Sequence, residues 1–75
     1  MSPNDYREAI RQLGLSQQSA ARFLELGDRT SRRWAAGDIR VPRSAELLLR
    51  LMLKYDLKPD AVLTLLDQPL RAVPK

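Results

Sequence analysis

Glycine and proline cut this sequence into short lengths, and those lengths carry helical rather than strand periodicity, so the chain is constrained to a set of short packed helices. Ser2, Pro3 and Asp5 make a helix start: serine caps free amides, proline suits the first helical position, and an acid lies near the positive end of the dipole. Tyr6, Ala9, Ile10 and Leu13 follow at the spacing of one buried stripe, and Gly14 ends that helix. Ser16 is placed to cap a second helix, in which Ala20, Ala21, Phe23 and Leu24 supply the apolar groups. A tight turn follows, with Gly27 as the residue able to take a left-handed backbone and Asp28 as cap of a third helix that runs to Ala36 and stops at Gly37.

Within that third helix only Trp34, helped by Thr30 and Ala35, suits burial, so Trp34 must hold it while its polar side stays outside. Asp38 to Pro42 reads as a loop containing Arg40, and Pro42 opens a fourth helix reaching about Tyr55. Its Ala45, Leu47, Leu48, Leu49, Leu51, Met52 and Leu53 cover more than one stripe, which predicts a helix central to the core or shared with another subunit, core being the simpler reading. Asp56 to Pro59 breaks it, and Asp60 to Asp67 predicts a fifth short helix carrying Ala61, Val62, Leu65 and Leu66. The expected fold is all-α, four to five short helices in one domain over residues 1–68, with 69–75 as a flexible C-terminal tail.

With no cysteine and no histidine, neither disulfides nor soft metal ligands supplement a core that, at this length, hides only about 60% of the unfolded surface. Leucine packing has to hold the fold, and no cofactor is implied. Catalysis would need carboxylates, Tyr6, Tyr55, a lysine or an activated serine, and no paired-acid or nucleophile–base spacing stands out, so a non-enzyme is expected. Met1-Ser2-Pro3-Asn4-Asp5 lacks a basic-then-apolar leader pattern and no apolar run approaches the ~18 residues of a membrane span, which makes a cytoplasmic location the expectation.

The formal charge is +4, and all of it lies in one stretch. Arg29, Arg32, Arg33, Arg40 and Arg43 face a single acid, Asp38, while the remaining charges cancel. Concentrated arginine on an otherwise balanced chain is the footprint of a polyanion partner, since arginine displaces counterions from phosphates; a merely solvated surface is the competing reading. Single-strand or RNA binding is disfavoured, because Tyr6, Phe23, Trp34 and Tyr55 fall mostly at core-like positions and cannot serve as stacking platforms.

The arginines coincide with a motif. Ser16 to Gly37, SQQSAARFLELGDRTSRRWAAG, resembles the helix-turn-helix of the phage-repressor-like (Cro/XRE) family, with Ser16, Gln17, Ala21, Leu24, Thr30, Arg33, Trp34 and Gly37 in register without a gap. Ala21 stands where two helices crossing at a short turn need a small side chain. The resemblance continues more weakly through Val41-Pro42 and the leucine-rich fourth helix. It implies a lambda-repressor-like domain with the motif at helices two and three, acting as a sequence-specific double-stranded DNA-binding regulator, a repressor, with its second motif helix in the major groove.

On that resemblance Asp28, Arg29 and Arg33 match base-contacting positions, with Arg32 beside them as a further base contact, and arginine can donate two hydrogen bonds to guanine. Gln17 and Thr30 match phosphate-bonding positions, with Arg40 and Arg43 in the following loop as phosphate clamps. Each has a structural competitor: Asp28 as a cap instead of a cytosine reader, Arg33 paired with Glu25 or Asp38, Gln17 as a solvated first-turn residue. The chain also departs from the family pattern: Glu25 stands where the turn usually has glycine, Gly27 where a hydroxyl usually caps, Ser31 where a buried valine or isoleucine usually packs, and Ala35 where glutamate is common. One motif covers about half a turn of DNA, so a homodimer reading half-sites about 34 Å apart is expected, its interface drawn from Leu57 to Val73. The alternative is a protein-interaction module, an antitoxin or adaptor, using helices four and five; it predicts an uncovered apolar groove between Leu48 and Leu66, whereas a regulator predicts an exposed arginine helix.

Overall fold

Serine hydroxyls start the first two helices. In the computed structural model, which describes residues 1–69, the Asp5 amide donates to the Ser2 hydroxyl at 3.0 Å and the Ser2 amide donates back to the Asp5 carboxylate, a reciprocal capping box at the head of α1 (Pro3–Gln12). Ser16 and Ser19 make the same exchange at the head of α2 (Gln17–Leu24). Then come α3 (Asp28–Ala36), α4 (Arg43–Lys54) and α5 (Pro59–Leu63), the last running into a 3-10 turn at Thr64–Asp67. The described residues form helices and turns with no strand, and no helix among them is long and apolar enough to cross a membrane.

Gly37 is required twice over. Its φ of +86° is the left-handed cap that closes α3, and a Cβ there would lie 2.8 Å from Pro3 Cγ, so the end of α3 meets the first turn of α1 directly.

The turn between α2 and α3 departs from expectation. Its left-handed residue is Glu25, at φ 55° and ψ 47°, while Gly27 has an extended backbone at φ −68° and ψ 148° that any residue adopts. Helix termination fixes this choice: the Leu26 amide donates to the Ala21 carbonyl at 2.7 Å and the Glu25 amide to Arg22 at 3.2 Å, which needs left-handed backbone immediately after Leu24. For a non-glycine residue that conformation costs about 1–2 kcal/mol. Asp28 is not the cap either; Gly27 holds that position without a side chain, and Asp28 is the first residue inside α3. At the next junction Pro42 is the cap of α4 rather than its first residue, so Arg43 opens the helix instead of lying in the loop.

The core gathers Tyr6, Ile10 and Leu13 of α1, Ala20 of α2, Trp34 and Ala35 of α3, Val41 of the connecting segment, and Leu49 and Met52 of α4. Ala20 and Ala21 are fully buried, which lets α2 approach α3 closely, and Trp34 meets Tyr6 edge to face with centroids 5.5 Å apart. Ser31 is also fully buried. Its hydroxyl donates to the Gln17 carbonyl at 2.8 Å, which commits its only proton, so Tyr6 OH donates to Ser31 Oγ at 2.7 Å. Serine at this site therefore replaces apolar packing with a satisfied polar link across α1, α2 and α3. Burial pushes the Tyr6 phenol above its usual pKa, with the Ser31 bond acting in the opposite direction.

On α4 the core expectation holds for one side only. Leu49 and Met52 are completely buried, yet Leu47 and Leu51 remain 56% and 49% exposed. The fifth helix is shorter than expected, one turn of α-helix from Pro59 and then the tighter 3-10 turn, and it buries no residue fully. Pro69 closes the described chain, and the remainder of the expected tail, 70–75, lies outside the described residues.

Candidate functional site

The site is the outer side of α3 and the ends of the elements beside it. Because Ser31, Trp34 and Ala35 point inward, the 3.6-residue period turns Arg29, Arg32 and Arg33 outward, and all three are exposed. Thr30 lies at the far edge of this face, half-buried. Three contacts fix the helix beneath them: Trp34 against Tyr6, the Tyr6–Ser31–Gln17 link, and the Arg7 guanidinium donating to the Ala35 carbonyl at the C-terminal end of α3. That last bond satisfies one of the carbonyls a helix end leaves open and places a cation at the negative pole of the dipole.

The four ion pairs among the described residues join the Met1 amine to Glu46, Arg11 to Glu8, Arg50 to Glu46, and Lys58 to Asp56. None involves an arginine between 29 and 43. Neither Glu25 nor Asp38 reaches Arg33, so the surface-pairing competitor for that residue is not realised. The contrast with the exposed pair on α1 is direct: there the hydrogen bond from Arg11, with another from Gln12, holds the Glu8 carboxyl down to about 2.

Between the head of α2 and the head of α3 lies a shallow hollow of about 430 Å3 lined by Ser16, Gln17, Gln18, Asp28 and Arg32. The expected residues Gln17, Asp28 and Arg32 thus converge, with Arg29 and Arg33 on the ridge alongside. Gln18 had not been singled out by sequence reasoning: its amide donates to Asp28 Oδ2 at 3.5 Å across ten residues, a partnership no local pattern announces. Arg40 stands apart from this cluster, lining a separate hollow of about 230 Å3 with Pro3, Trp34 and Gly37 at the opposite end of α3, and Arg43 is exposed at the head of α4.

A second surface is apolar. Phe23 and Leu24 of α2, Leu48 of α4, and Val62, Leu63, Leu65 and Leu66 line an open groove of about 350 Å3. Comparison with known proteins finds no matching family model, no matching curated protein and no matching solved structure.

Proposed function

We propose that this chain is a lambda-repressor-like helix-turn-helix domain, with α2 and α3 as the motif, that binds double-stranded DNA sequence-specifically and acts as a transcriptional repressor without catalytic activity. The observation that carries the reading is the row of exposed arginines on α3, none paired with an acid among the described residues, on a helix fixed from below by Trp34 and Ser31. An ordinary solvated arginine surface includes compensating acids, as α1 and α4 do here.

In this reading α3 enters the major groove with Asp28, Arg29, Arg32 and Arg33 toward the base edges, while Gln17, Thr30, Arg40 and Arg43 engage phosphates and set register. The wide separation of Arg40 from the head of α3 suits a backbone contact, which carries no sequence information. A homodimer places two such helices on successive turns, and the exposed leucines of α4 and the groove beside α5 support an apolar interface for it. The same groove favours a second reading, an adaptor that binds another protein there.

Mobility-shift titration over a salt series tests the first reading. Arg29→Ala is expected to relax preference at one base position by about tenfold, whereas Arg40→Ala and Arg43→Ala weaken binding to every duplex and each flatten the salt slope by about one unit. A wild-type protein that shifts no duplex at low salt overturns DNA binding, and sedimentation as a monomer at high micromolar concentration overturns the dimer.

A further inference from the structure

Hydrophobic surface does not end at the groove beside α5. A second hollow of about 320 Å3 shares Leu24 and Leu48 with it and continues past Pro42 and Ala45 to Trp34, so the two make one trough from Leu66 to the anchor of α3. Beside it the outer face of α4 carries Leu47, Leu51 and Tyr55 at four-residue intervals, all exposed. The far edge of that row is cationic. Arg43, Arg50 and Lys54 recur at i, i+7 and i+11, and the single acid of α4, Glu46, already holds both Arg50 and the Met1 amine. Arg43 and Lys54 have no acidic partner among the described residues.

Three kinds of occupant can cover such a face, and shape and charge separate them. A lipid surface is flat and leaves a hollow that reaches Trp34 unfilled. A second copy brings no acid from its own α4: packed antiparallel about a two-fold axis the cationic edges meet each other, and packed parallel each edge meets Ser44, Leu48 and Tyr55. A helix of a different protein satisfies both conditions, since its ridge of side chains fills a trough and a flanking row of acids meets Arg43 and Lys54. We propose that the trough and the bare face of α4 dock an acidic amphipathic helix of another protein, its apolar side chains entering the hollows on either side of Leu24 and Leu48 and its carboxylates lying along the edge of Arg43 and Lys54. This rests on the second reading above, a protein partner in the groove, and gives the α4 face to that partner rather than to a second copy. Apolar burial supplies the affinity, and the cationic edge selects which helix is accepted.

The test uses three synthetic helices that share a leucine row at i, i+3, i+4 and i+7 and differ only in the row beside it, which is glutamate, glutamine or lysine. All three lack tryptophan, so binding is read from the anisotropy of a label on the peptide and from the emission of Trp34, the chain's only tryptophan, at the end of the trough. The glutamate helix is expected to bind with a saturable change in Trp34 emission, about fivefold more tightly than the glutamine helix at low salt, with the lysine helix weakest and the margin closing as salt rises. Leu51→Ser and Leu66→Ser, both at exposed positions, are each expected to weaken the glutamate helix by about tenfold with melting temperature unchanged. Lys54→Glu is expected to narrow the glutamate-over-lysine preference by about threefold and to leave the glutamine helix unaffected. Equal binding of the glutamate and glutamine helices overturns the acidic partner while a protein in the groove stands; binding of none of the three overturns both. Tighter binding to phosphatidylglycerol vesicles than to the glutamate helix, lost in Leu51→Ser, assigns the face to a lipid surface, and self-association that Leu51→Ser abolishes assigns it to a second copy. Either result overturns the proposal.

Discussion

The first three helices and the last two solve the same problem differently. In α1 to α3 the apolar stripes face inward, and the buried polar groups, Tyr6 and Ser31, bond to each other and to a carbonyl. In α4 and α5 only Leu49 and Met52 are fully buried, with Ala45, Leu48, Leu53 and Val62 packed partly against the core, while Leu65 and Leu66 are 58% and 75% exposed. The arginines of α3 lie on the first, closed half, and the apolar groove lies where α2 meets the second, open one. The buried hydrogen bonds thus lie beneath the arginines, and the exposed leucines lie away from them.

The strongest way to break this comparison is to truncate leucines on the two sides of it. Leu49→Ala is expected to cost about 2–5 kcal/mol in urea or thermal unfolding, as a fully buried leucine does. Leu66→Ala is expected to stay within about 0.5 kcal/mol in dilute protein, with a larger loss only at concentrations where chains associate. Equal effects at low concentration would show that the open half is not open. Ser31→Ala sharpens the description of the closed half: it strands the Tyr6 hydroxyl and removes the second hydrogen bond of the Gln17 carbonyl, and the expected loss is about 1–3 kcal/mol by urea titration, well above the cost of a simple serine truncation at a surface. Glu25→Gly runs in the opposite direction, expected to stabilise by about 1 kcal/mol in the same titration, since glycine takes the left-handed backbone without steric cost even though it enlarges the unfolded ensemble.

Local chemistry made much of this readable in the residues alone. Helix heads at Ser2 and Ser16, the stops at Gly14 and Gly37, the inward Trp34 and the small Ala21 are dictated by neighbours within a turn or two, and each is found where the spacing places it. What escaped is set by distant partners. Nothing near Ser31 reveals a tyrosine 25 residues earlier that rewards its burial, and nothing near Asp28 reveals Gln18. The turn misled for a related reason: glycine is the residue most able to be left-handed, but the end of α2 fixed which residue had to be. On the candidate site, arginine exposure was legible because α3 has one clear inward anchor. The second face of α4 was not, because a row of leucines looks the same whether it is covered or bare.

The hydroxyl chain from Tyr6 through Ser31 to the Gln17 carbonyl also determines how α3 can move. Greasy contacts tolerate sliding by fractions of an ångström, whereas hydrogen bonds weaken steeply once distance or angle drifts. Three helices meet at this one serine, so a change in the pitch of α3 strains bonds to α1 and α2, and α1 in turn packs on α4. The leucine side of the molecule is thus joined to the arginine side through α1, by this serine, by the edge-to-face meeting of Tyr6 and Trp34, and by the Arg7 bond to the Ala35 carbonyl.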